Sequence, residues 1–150
     1  MSNIDRILPM LSWNNTARTQ KRGLRLGRQI KCLKPFFQPI SDCYGKDIWE
    51  NCASIICERS DKELQYYLHD MLCWIQDMNW PGADIIQRRL INFSDTDNLA
   101  NEIAFIVPHL AKEEDYVWIE NLAVLLQNES IKGSLSTDTI ALLVNQRTHE

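Results

Sequence analysis

Residues 64–93 constrain this chain more than any other stretch, because they carry two apolar-periodic halves divided by Asn79-Trp80-Pro81-Gly82. In the first half Leu64, Leu68, Met71, Leu72, Ile75 and Met78 recur at three- and four-residue spacings, which place them on one face of an α-helix. Ile86, Leu90 and Phe93 repeat the pattern in the second. Pro81 suits the first turn of a helix, where its missing amide hydrogen has no intrahelical partner, and it disfavours helical geometry at Trp80. The spacing therefore predicts a helical hairpin hinged at Trp80.

The same rhythm governs the rest of the chain. Ser60-Asp61-x-Glu63 reads as a capping box opening the first of these helices. Ahead of it, Ile48, Cys52, Ile55 and Ile56 share one face of a helix over residues 47–59. Near the start, Ile4, Ile7, Leu8 and Leu11 form a short apolar segment interrupted by Pro9, and residues 34–40 make a turn or single helical turn between two prolines. Leu99, Ile103, Ile106, Val107 and Leu110 predict a further helix that Pro108 should kink or shorten. Residues 116–127 are apolar around much of a helical circumference, through Trp118, Ile119, Leu122, Leu125 and Leu126, and should be well buried. A turn is expected at Lys132-Gly133-Ser134, before a last helix over residues 138–146. No sustained strand alternation occurs. The fold class is all-α, and two architectures fit: a closed helical bundle, or antiparallel helix pairs stacked in a short solenoid.

At 150 residues and 45% hydrophobic content, the chain is large enough for one domain with a real core. It divides into basic N-terminal helices over residues 1–44, a helical centre over 45–128 and a C-terminal helix over 129–150. No apolar run reaches the roughly 18 residues that cross a bilayer, and the start lacks the pattern of a secretory signal, so a cytoplasmic location is expected. Cys32, Cys43, Cys52, Cys57 and Cys73 are odd in number and form no C-x-x-C pair, which reads as buried free thiols. Without an export signal, the glycosylation-type triplets at Asn14, Asn92 and Asn128 carry no weight.

Charge is unevenly placed. Of 16 bases and 20 acids, residues 1–34 hold eight bases and a single acid, Asp5, so one end is basic and the remainder acidic. Arg18, Lys21, Arg22, Arg25, Arg28 and Lys31 recur at helical spacing and would line up as a basic stripe. Such a stripe could meet phosphate. Leu24, Leu26, Ile30 and Leu33 also give the segment a packing face, however, and no aromatic residues interleave with the bases to stack on nucleotides, so a solvated helix face is the expectation.

Signatures of chemistry are sparse. His69, His109 and His149 stand apart without zinc spacing, and read as solvated or packed. Asp95-Thr96-Asp97-Asn98 with Glu102 lacks the central glycine and ligand spacing of a calcium loop, which leaves a cluster capping a helix start. No Gly-rich phosphate loop or nucleophile elbow occurs, and neither a metal, a cofactor nor a catalytic residue is assigned. Asp77 could be a general base, but it has no acid or nucleophile to work with. The structural reading has Asp77 and Asn79 bonding the backbone of the turn and capping a helix that begins at Pro81, with Trp74 and Trp80 packed between helices.

The run Trp74-Ile75-Gln76-Asp77-Met78-Asn79-Trp80-Pro81-Gly82-Ala83 resembles the hallmark of a family of small bacterial helical domains of unknown function. The likeness extends more loosely to Val117-Trp118 and Leu122, covering roughly residues 45–128. It implies HEAT-like helix pairs, and members of such a family are found among the immunity proteins that bacteria keep beside polymorphic, contact-dependent toxins. The resemblance thus favours the solenoid, and implies a 1:1 complex with a cognate toxin, a basic nuclease such as an RNase, whose active site is occluded. For the contacts, the acids and aromatics of the turns are the candidates: Asp95, Asp97, Glu113, Glu114, Asp115, Tyr116 and Glu120. Binding of nucleic acid along the basic stripe is the alternative.

Overall fold

Capping and turn chemistry set the element boundaries in the computed structural model, which describes residues 3–41 and 44–145. Every regular element among them is helical. Helix α1 (Asn3–Met10) leads into α2 (Ala17–Gly27), whose N-cap Thr16 accepts a hydrogen bond from the Thr19 amide. A 3₁₀ turn at Lys34–Phe36 and the one-turn α3 (Gln38–Ser41) bring Phe36 and Phe37 inward, and α4 (Trp49–Cys57) follows. The capping box at Ser60 is present with both of its reciprocal bonds, and it opens α5 (Asp61–Leu64). Then come α6 (Leu68–Trp74), α7 (Ala83–Ile91), α8 (Thr96–Lys112), α9 (Tyr116–Ala123), α10 (Glu129–Ser134) and α11 (Thr137–Asn145).

Several boundaries depart from the periodicity. The helix expected from Ser60 through Met78 is broken by a 3₁₀ turn at Gln65–Tyr67 and ends at Trp74. Tertiary contacts explain the break: the Tyr67 ring stacks on Phe37 at 5.4 Å between centroids, and its hydroxyl accepts a hydrogen bond from the Leu33 amide. Neither proline interrupts its helix. Pro9 falls in the last turn of α1, and α8 runs unshortened for four residues beyond Pro108. Pro108 and Ala104, whose carbonyl loses its helical donor, both face solvent, while Ile103, Ile106, Val107 and Leu110 hold the opposite side of the helix in the core. Lys132, Gly133 and Ser134 lie inside α10, because the Asn128 side chain caps that helix by accepting from the Ser130 and Ile131 amides. Cys52 is buried and Cys57 and Cys73 are half-buried, but Cys32 is exposed, against the reading of the thiols as buried; Cys43 and His149 lie outside the described residues.

One core cluster extends from Ile7 to Leu143. Helix α2 packs on α1 and α4, α4 on α7, and α6 on α7 and α8, while α8 also meets α9, α10 and α11. Two glycines bring α2 in close. A Cβ on Gly23 would come within 2.9 Å of Leu11 and Met10, and one on Gly27 within 2.5 Å of Ile55. The buried side of α2 is thereby fixed, and its charged side is turned to water.

Arg89 ties three elements together. Its guanidinium donates to the carbonyls of Cys57 (3.2 Å) and Arg59 (2.9 Å) and pairs with Asp61, which also accepts from the Ser94 amide and hydroxyl. Burial raises the Asp61 carboxyl, but the Ser94 and Arg89 donors outweigh it and hold the group below its ordinary value. A carboxylate depressed in the folded state stabilises the protein above its unfolded pKa of about 3.9, and that contribution is lost as pH falls through the folded value. Asp61→Asn is therefore expected to cost about 1–3 kcal/mol at pH 6. Urea titrations should show the gap to wild type closing as pH falls below the ordinary aspartate value of about 3.9; a gap that stays constant would remove Asp61 from the acid limb.

Candidate functional site

Two turns link α6 to α7. The Asp77 carboxylate accepts from the Asn79 amide at 2.9 Å, and the Trp80 amide donates to the Asp77 carbonyl at 3.1 Å. The next turn closes from the Ala83 amide to the Trp80 carbonyl at 3.1 Å. With Pro81 at its second position and Gly82 at φ 84°, ψ −10° at its third, this is a type II turn. Pro81 accordingly precedes α7 instead of opening it, and Gly82 occupies the N-cap with no side-chain cap, so Asp77 serves the turn and neither it nor Asn79 caps α7. Trp74 is fully buried, its indole N–H donating to the Pro81 carbonyl at 3.1 Å. Its ring meets Phe37 and Trp49 edge-on, and Trp49 meets Trp80 likewise, as the structural reading of the indoles expects. With its carboxylate engaged by the turn, Asp77 has the geometry of a scaffold residue.

A group of titratable side chains lies between α6 and α8. The imidazole of His69 stands 3.6 Å from the Glu102 carboxylate. Beside them, burial, reinforced by Glu102, raises the Asp70 carboxyl against the pull of His69 and Lys34. Cys73 is pushed up to about 11, chiefly by burial and further by Asp70 and Glu102. Its thiol therefore stays protonated at neutral pH and is a poor nucleophile. No three metal-binding side chains converge among the described residues. His109, one face over, packs edge-on against the exposed ring of Phe105.

The acidic residues fall at the two ends of α8, about 24 Å apart for its 17 residues. At the first end, Asp95 caps the helix by accepting from the Asn98 amide, and Asp97 accepts from the Ser134 hydroxyl at 3.1 Å. Both carboxylates have local work to do. At the other end, α8 stops in a Schellman arrangement: the Glu114 amide donates to Ala111, and the Asp115 amide to Leu110. Asp115 then caps α9 by accepting from the Trp118 amide.

Glu114 is the exception. It sits at φ 60°, in the left-handed region that this motif normally gives to glycine, and no other described non-glycine residue has a positive φ. Glu113, Glu114 and Glu120 are exposed around Val117, itself 65% exposed, while Tyr116 is half-buried beside them. Val117 escapes a reading that looks only for charge, although the inward phase of Ile119 and Leu122 turns it to solvent. The α8–α9 corner thus presents three acids and an apolar contact on a backbone fixed by two caps.

The sequence profile of a domain of unknown function, DUF5071, matches residues 49–150, about two thirds of the chain. The protein belongs to the DUF5071 family. No curated protein and no solved structure matches it. The DUF5071 segment contains both the type II turn and the acidic corner, and runs past residue 128, where the sequence likeness fades. Helices α1 and α2, with Arg6, Arg18, Lys21, Arg22 and Arg25, precede it.

Proposed function

We propose that this DUF5071 protein is a non-enzymatic immunity protein that acts in the cytoplasm, binding a basic toxin, a nuclease by preference, and covering its active site with the α8–α9 corner. Glu114 carries the reading. A left-handed L-residue costs about 1–2 kcal/mol, and glycine would relieve it, so an exposed glutamate held there is strain retained for what the carboxylate does. A nuclease must present an electropositive cleft to nucleic acid, and rigid acids around an apolar contact complement such a cleft and steer its approach. Stacked helix pairs suit this role by displaying their turns along one edge. The family resemblance supplies the class of partner, and the sequence of neighbours α2, α4 and α7 supports the stacking.

Co-expression with the product of the adjacent upstream reading frame tests the proposal. Growth rescue and a 1:1 complex are expected, and a neighbour that is toxic yet neither bound nor rescued would overturn it. Within the complex, Glu114→Gly should raise stability by about 1 kcal/mol while weakening binding about tenfold, and Glu113→Lys with Glu114→Lys should weaken it further. Parallel denaturation and titration calorimetry separate the two effects. Binding unchanged by Glu114→Gly would leave the strain without the role assigned to it.

A further inference from the structure

The basic residues of α1 and α2 lie outside the matched family segment and play no part in the toxin reading. The helix ends at Gly27, so Lys31 drops out of the predicted stripe, and Arg28 is claimed by a two-bond pair with Glu58 at 2.6 and 3.1 Å. What remains is Arg18, Lys21, Arg22 and Arg25, on the side of α2 opposite the buried Gly23 and Gly27. No acid pairs with them among the described residues. Like charges three and four apart on a helix repel by about 0.2–0.5 kcal/mol a pair, so this face is kept at a cost to α2.

Two depressions lie on it. One, of about 580 Å³, is bounded by the four cations and Thr19. The other, of about 490 Å³, opens between α1 and α2, with Arg6, Arg22 and Gln29 at its rim and Ile7, Leu26 and Ile30 among its apolar lining. Arg22 belongs to both, which makes them one track. We infer that this track binds single-stranded nucleic acid, phosphates lying along Arg18, Lys21, Arg22 and Arg25 and one unpaired base entering the groove between α1 and α2. From Arg18 to Arg25 the helix rises about 10 Å, or about three axial steps of ~3.4 Å in a stacked strand, which places about four phosphates along it. The apolar lining takes the place of the aromatic platform that sequence-tolerant single-strand binders use. A duplex keeps its bases paired and offers the groove nothing. Because the protein as a whole is acidic, at a net charge of −4, attraction to a polyanion must be local to this face.

Fluorescence anisotropy with a labelled 12-nucleotide oligouridine, on the full chain, tests the inference. Binding should weaken with salt at a log–log slope of about −3, as expected for four to five phosphate contacts on a single strand. Arg18→Gln with Arg22→Gln and Arg25→Gln should reduce affinity at least tenfold and flatten that slope, and Arg6→Gln about threefold. Lys132→Glu, on α10, should change neither. No binding at 100 mM salt, a loss equal for Lys132→Glu, or a 12-base-pair duplex bound as tightly as the single strand would each overturn it. So would tighter binding of polyglutamate or of anionic lipid vesicles, which would assign the face to an acidic protein or a membrane. Glu113→Lys leaves this binding intact, so the two surfaces succeed or fail separately.

Discussion

Replacing Gly82 with alanine is expected to destabilise the protein by about 2–5 kcal/mol, a large part of the 5–15 kcal/mol that holds a domain together. Two independent costs meet at this residue. Its φ of 84° places any side chain in the left-handed region. A Cβ there would also lie 2.6 Å from Ala53 Cβ, 3.1 Å from the Trp49 carbonyl oxygen and 3.4 Å from Glu50 Cα. All three belong to the first turns of α4 and none is the tip of a flexible chain, so relief requires α4 and α7 to part. Urea unfolding should show the midpoint falling by about 1–3 M. A shift under about 0.3 M would mean that the turn is not clamped against α4.

Trp74→Ala should cost about 3–5 kcal/mol, since it removes a fully buried indole from among Phe37, Trp49 and α7. Trp74→Phe keeps most of the volume but leaves the Pro81 carbonyl without its donor, and should cost about 1–2 kcal/mol. The contrast measures how much of the Trp74 contribution is packing and how much is its hydrogen bond. Equal losses for the two variants would assign nearly everything to the bond. Either way the effect is on folding, which separates these residues from the exposed acids, whose substitution should spare stability and change binding.

Local chemistry is what the sequence makes legible. Ser60 and Glu63 announce a capping box with nothing needed from elsewhere in the chain, and the box forms. The period of α8 identifies its buried face correctly through Leu99, Ile103, Ile106, Val107 and Leu110. Where a distant partner decides, local reading fails. Tyr67 leaves the helix for Phe37 and Leu33, some thirty residues earlier, and Pro108 is tolerated because its helix is held from the other side. Pro81-Gly82 fits a helix start and a type II turn equally well until the Trp74 indole settles on the Pro81 carbonyl. At the acidic corner the residue types are visible in advance, but not their division of labour. Asp95 and Asp115 cap helices, whereas Glu114 takes a conformation that its identity argues against.

The core does not respect the edge of the family match. Kinship begins at residue 49, yet Phe36 and Phe37 are sealed into the same interior as Trp74, and Gly27 lets α2 lie flush on Ile55. A chain beginning at α4 would therefore be born with a wound: the flank of α4 and one edge of the Trp74 ring, dry in the whole protein, would face water. The family match and the folded core have different borders here.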